Sequence, residues 1–165
     1  MTGVAVVPLG VGRIEELREL WHALHASDRR ISPVPLQPDD ELSWRLRRAD
    51  YLAWLDAGTA FAVGAERAGR LVGYALTRIH EGSDDTFDLG ARHAEVYSLA
   101  VASGERGRGI GSLLLDEVDF ELARRRIAHL TIAVTAGNAG ARRLYERRGL
   151  VPGEIILFRS PPVES

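Results

Sequence analysis

The sequence predicts one mixed α/β (α+β) domain over residues 1–165, and three patterns carry that prediction. Two early segments repeat apolar residues at spacings of three and four, as helices do. Residues 60–80 alternate about a tight turn, as a hairpin does. From residue 94 onward the signals run strand, helix, strand, helix, strand. A chain of 165 residues removes roughly 70% of its unfolded surface from water, enough for a substantial core.

The first strand is Val4–Val7, short, apolar and β-branched, with Pro8 expected to end it. A helix follows Gly12, placing Ile14, Leu17, Trp21 and Leu24 on one stripe and Glu15, Glu16, Arg18 and Glu19 on the other face. Pro33, Pro35 and Pro38 break the chain before a second helix, which runs from Asp39 or Asp40 to about Leu55. FAVGAER and RLVGYALTRI flank Ala68-Gly69, a hairpin turn. The polar stretch 81–92 is a loop, and 94–102 a strand. A helix opens at Ile110 with Leu113, Leu114 and Val118 inward. Arg124 to Arg126 suit its C-terminal end, where the helix dipole favours cations. Residues 129–136 form a strand. Asn138 then caps a helix carrying Ala141, Leu144 and Tyr145, Gly149 stops it, and 153–159 is a last strand.

Composition narrows the chemistry. No lysine occurs, so all 21 basic residues are arginine, and against 23 acidic residues the formal charge is −2. That balance gives no reason to expect nucleic acid as a partner. Cysteine is absent, which excludes disulfides, thiolate metal sites and a cysteine nucleophile. His22 and His25 share a helix face without a third ligand nearby, so no metal is expected. No apolar run approaches the roughly 20 residues that cross a bilayer. The opening MTGVAVVPLGVGR has neither a basic start nor a leader-like apolar core, and it is read as part of the fold. A cytoplasmic location without a membrane partner is the resulting expectation.

The segment Arg106-Gly107-Arg108-Gly109-Ile110-Gly111-Ser112 lies between a strand and a helix. Glycines at alternate positions remove the Cβ atoms that would hold a ligand away from the main chain. Backbone N–H groups can then converge on one anion, with the positive end of the following helix behind them. Arg106 and Arg108 add charge that pairs with phosphate oxygens. A P-loop nucleotidase would need a lysine after the last glycine, and the chain has none. A dinucleotide fold would carry its glycine loop at the first strand–helix turn, whereas several strands precede this one. The bland alternative is a glycine-rich turn with exposed arginines.

The strand–loop–helix HAEVYSLAVASGERGRGIGSLLLDEV resembles the acetyl-CoA signature of the GNAT acyltransferase superfamily, in which Gln or Arg is followed by two residues, Gly, one residue, and Gly or Ala; here these are Arg106, Gly109 and Gly111. HLTIAVTAGN and NAGARRLYERRGL match the family's following strand and its Asn, helix, Tyr and Gly pattern. The resemblance spans about 93–150. It implies a GNAT-type fold: a twisted, mostly antiparallel sheet with two splayed parallel central strands and about four helices. It also implies that acetyl-CoA is the co-substrate.

By that resemblance, Leu99, Ala100 and Val101 give main-chain contacts to pantetheine. The amides of Arg106, Gly107, Arg108, Gly109, Ile110, Gly111 and Ser112 hold the diphosphate. Asn138 either touches the cofactor or only caps its helix. Tyr145 stands where the family commonly has a general acid, and a phenol with a pKa near ~10 can protonate the departing thiolate; otherwise it packs. Glu95, four residues before Leu99, matches the strand glutamate of the histone-acetylating branch. It could take the proton from an amine, or it merely faces solvent or pairs with Arg92.

The resemblance implies an N-acetyltransferase moving acetyl directly to a primary amine of a small molecule or a peptide, with no covalent enzyme intermediate. Rivals are a non-catalytic CoA-binding relative and an acyltransferase using another acyl donor or a hydroxyl acceptor. Asp84, Asp85 and Asp88 form an acidic rim that could attract a cationic acceptor, or a solvated loop. Homodimers are common in the family, and the sequence carries no interface signal.

Overall fold

The computed structural model describes residues 3–161. Its sheet runs in chain order: β1 (Ala5–Leu9), β2 (Ala60–Arg67), β3 (Arg70–Glu81), β4 (Arg92–Val101) and β5 (Leu130–Ile132). The first three pairings are antiparallel, and β4 with β5 is parallel. Four α-helices cover the two faces: α1 (Arg18–Ile31), α2 (Asp40–Asp56), α3 (Ile110–Arg124) and α4 (Ala139–Arg147). This is the mixed α/β architecture expected. No helix among the described residues is long and apolar enough to cross a membrane.

Alternation along the strands divides the core in two. Phe61, Val63, Ala75, Ala94 and Val96 meet Ile110, Leu114, Val118 and Tyr145 on the α3/α4 face. Ala62, Tyr74, Leu76 and Ala100 meet Leu17, Trp21, Trp44 and Tyr51 on the α1/α2 face. Pro38 precedes α2, whose N-cap Asp39 accepts from the Leu42 N–H at 3.0 Å. The hairpin turn is at Ala68-Gly69, both with positive φ, as its two-residue geometry requires.

Several expectations need correction, among them Leu113, placed inward by its spacing but 41% exposed on α3, and the strand at 129–136, which spans only Leu130–Ile132. Pro8 does not end the first strand, which continues to Leu9; β1 is an edge strand, so the N–H that proline lacks is not needed on its open side. The first helix opens with a 3₁₀ stretch from Val11 to Leu17 before α1 begins. The strand at 153–159 does not form. Ile155, Ile156, Leu157 and Phe158 are 68–89% exposed, and that segment pairs with no strand. Strand propensity needs an edge to pair with, and β5 offers three residues. β5 is consequently an edge strand here and not a central one.

Candidate active site

β4 and β5 are hydrogen-bonded only from Ala94↔Leu130 to Val96↔Ile132. Beyond that point β4 continues to Val101 while the other chain turns away at Thr135 to Asn138, so the two diverge. The main-chain groups of Tyr97 to Val101 on that side face an opening instead of a strand. Leu99, Ala100 and Val101 line one bank of it.

β4 carries a bulge at the start of this opening. Leu76 pairs with Ser98 and Thr77 with Val96, which leaves Tyr97 as the extra residue. Tyr97 and Ser98 therefore both face α2. Tyr97 packs edge-on to Trp54 at 4.8 Å, and Ser98 Oγ accepts from Arg47 Nη1 at 2.9 Å and from the Tyr51 hydroxyl. The Arg47 guanidinium lies 3.8 Å above the Trp21 ring and 4.7 Å above Tyr97. The bulge also separates two residues that a regular strand would put on one face. Glu95 looks toward α1/α2, and Leu99 packs with the α3/α4 core.

At the C-terminal end of β4 the glycine loop leads into α3. Gly107 (φ 73°) and Gly109 (φ 79°) are left-handed, and Gly109 caps α3 without any side-chain cap. The unbonded amides of the first turn are thereby left to a ligand. Arg106 to Gly109 are exposed. Ile110 is 1% exposed, its side chain in the core, so only its main chain can serve the loop. Glu105 holds Arg108 at 3.5 Å and Arg67 at 3.2 Å. Arg106 folds inward, its Nε donating to the Val101 carbonyl at 3.1 Å.

Asn138 Oδ1 accepts from the Ala141 N–H at 3.0 Å and caps α4, whose Tyr145 packs into the core beside Ile110 and Leu114. The Tyr145 ring is 8% exposed and its hydroxyl has no hydrogen-bond partner among the described residues. Burial, with the Asp28 charge adding to it, pushes the phenol up to about 12. It stays protonated throughout the physiological range.

Glu95 Oε2 accepts from His80 Nε2 at 2.9 Å, and the His80 ring stacks on His93 at 4.9 Å. This cluster sits where β4 and β5 are still paired. The acidic loop lies at the start of β4, a strand of 10 residues away from the glycine loop; at ~3.3 Å per residue that is about 30 Å. Its carboxylates are occupied locally. Asp84 accepts from the Thr86 and Phe87 amides at 2.8 Å, which hold it below the usual carboxylate range. Asp85 accepts from the Thr86 hydroxyl at 3.1 Å, and Asp88 from the Gly90 amide at 3.3 Å.

Sequence reasoning missed Asp28, Arg47, His80 and Ser98. One signal was present for Asp28: Trp21, His25 and Asp28 fall at i, i+4 and i+7 and continue the inward stripe of Leu17. No pattern marked the bulge that turns Ser98 toward α2.

Comparison with known proteins supplies what geometry alone does not. The sequence profile described as "Acetyltransferase (GNAT) family" matches residues 17–150. A mycothiol acetyltransferase of Kocuria rhizophila is 31% identical over 160 residues, covering 96% of this chain and 50% of that protein. The chain thus spans about half the length of that relative. A GCN5-related N-acetyltransferase of Ralstonia eutropha JMP134 superposes with a TM-score of 0.73 at 22% identity, over 98% of this chain and 99% of that one. An aminoglycoside N-acetyltransferase solved in complex with CoA superposes with a TM-score of 0.71 at 14% identity, over 99% and 97%. At such identities the two structures speak for the fold alone.

Proposed function

The chain belongs to the acetyltransferase (GNAT) family, and from that premise we propose that it transfers acetyl from acetyl-CoA directly to a primary amine of a small molecule or peptide. The observation that carries this reading is the opening between β4 and β5 with the glycine loop at one end, and the buried Tyr145, whose hydroxyl has no partner among the described residues, supports it. The residues present fit the co-substrate: exposed amides and two left-handed glycines for a diphosphate, and an unpaired strand side for an amide-bearing arm. Acetyl-CoA supplies the activated thioester.

The chain's own residues divide the remaining work. The amides of 106–112 bind the diphosphate, and Leu99, Ala100 and Val101 align the arm by main-chain hydrogen bonds. For Val101 this requires the Arg106 side chain to leave the carbonyl it now holds and turn toward phosphate. Asn138 holds the α4 N-terminus in place and offers its remaining amide to the opening. Tyr145 donates its proton to the leaving sulfur. Glu95, held by His80, takes up the amine proton through intervening water. With no cysteine in the chain, no thiol can carry the acetyl group. Relatives named as mycothiol acetyltransferases, of whose length the chain spans about half, support acetyl transfer.

A thiol-release assay with acetyl-CoA against a panel of primary amines and peptides tests the proposal. Amine-dependent thiol release with a matching amide product is expected. CoA binding without release across the panel would overturn it in favour of a non-catalytic CoA-binding protein.

A further inference from the structure

The last turns of α1 cross the mouth of the opening and touch both banks. Arg106 Nη1, from the loop after β4, donates to Ser27 Oγ at 3.5 Å. On the other bank Thr135 lies near the Asp28 carboxylate and favours its charged form. Gly137 lies so close to α1 that a Cβ there would stand 2.2 Å from the Ile31 carbonyl oxygen. Asp28 is held between these contacts, half-buried, near enough to Tyr145 for its charge to act on the phenol. Arg106, Arg47 and His25 act on Asp28 from a distance, yet no ion pair within 4 Å reaches it among the described residues.

A half-buried carboxylate is costly unless something charged or hydrogen-bonding meets it. Among the described residues no side-chain hydrogen bond or ion pair reaches this one, which leaves its acceptor capacity available to a ligand. A second anion cannot complete such a position. A cation can, and the space beside Tyr145 is where an acceptor must arrive. The geometry points to Asp28 as the residue that binds the acceptor's ammonium group at the mouth, making this an enzyme for amines that arrive positively charged.

The inference rests on the amine acetylation proposed above. It gives Asp28 a binding role and leaves proton removal to the Glu95–His80 pair. It also moves recognition of a cationic acceptor from the acidic loop, whose carboxylates are tied into their own turns, to α1.

The test compares two classes of acceptor at pH 7.5 with the full chain. Primary alkylamines, 1,4-diaminobutane among them, arrive protonated; 4-methylaniline and related arylamines arrive neutral. Asp28→Asn should raise KM for the alkylamines at least tenfold, the scale of a lost charge-assisted contact. KM for acetyl-CoA and for the arylamines should stay within threefold, and Asp28→Glu should recover part of the alkylamine loss. An unchanged alkylamine KM overturns the assignment while leaving acetyl transfer intact. An equal rise for both classes, or for acetyl-CoA, shows that Asp28 only braces α1 through Thr135, and also overturns it. If Asp28→Asn fails to fold, Asp28→Ser takes its place, and an alkyl-to-aryl preference equal to the wild type contradicts the proposal. No thiol release by the wild type with any amine removes the proposed function itself, a separate failure.

Discussion

Replacing Tyr145 by Phe separates packing from chemistry. The ring is 8% exposed and is retained, while the departing hydroxyl has no hydrogen-bond partner to lose among the described residues. Stability at pH 8 should therefore change by less than about 1 kcal/mol. At high pH the two proteins part. Folding raises the phenol from 10.0 to about 12, so the unfolded chain gives up this proton first. The resulting stabilisation is fully present below pH 10 and disappears as pH climbs through 12. It is worth about 3 kcal/mol in full, of which about 1.4 kcal/mol is lost by pH 11. Urea unfolding at pH 8, 10 and 11 measures it directly, because Tyr51 and Tyr74 titrate in both proteins and cancel. The wild type should lose about 1.4 kcal/mol more than Tyr145→Phe between pH 8 and 11. Parallel curves would refute the buried, Asp28-facing placement of the hydroxyl. In steady-state assays the same variant should lose roughly 10²–10⁴ in kcat with the acetyl-CoA KM within about threefold. An unchanged kcat would end the acid role.

Other outcomes follow from the same geometry. Glu95→Gln should lower kcat at neutral pH and leave both KM values nearly unchanged, and the loss should shrink as pH rises and the amine deprotonates in solution; a loss that is flat with pH contradicts a base role. Neutralising Asp84, Asp85 and Asp88 together should raise the alkylamine KM less than Asp28→Asn alone, since those carboxylates are tied into their own turns. Gly137→Ala puts a methyl 2.2 Å from a backbone oxygen of α1; denaturant unfolding should show a loss of about 1–3 kcal/mol, and the acceptor KM should rise as α1 is displaced.

The glycine loop was legible because its information is carried by residue type: three glycines and two arginines before a helical stripe restrict what the main chain can do. Tyr145 and Asn138 were legible for a similar reason, as helix spacing and capping fix their places locally. The bulge at Tyr97 left no trace, since it depends on how β3 and β4 settle their register around the Leu76–Ser98 pair. That one extra residue separates Glu95 from Leu99, which spacing along a regular strand would have joined. Asp28 was passed over because its importance comes from Thr135 and Tyr145, over a hundred residues away in the chain. The 153–159 run shows the converse failure. Its β-branched composition is real, but a strand is made by its partner, and β5 ends at Ile132.

Amide chemical-shift mapping during a CoA titration, with wild type and Gly109→Val compared, tests whether the glycine loop and the open side of β4 hold the co-substrate. The left-handed Gly109 (φ 79°) is a conformation that valine adopts only with strain. Wild-type shifts should concentrate at residues 106–112 and 97–101, and Gly109→Val should fold but bind CoA at least tenfold more weakly. Shifts centred elsewhere, or undiminished affinity in Gly109→Val, would contradict this placement of the co-substrate.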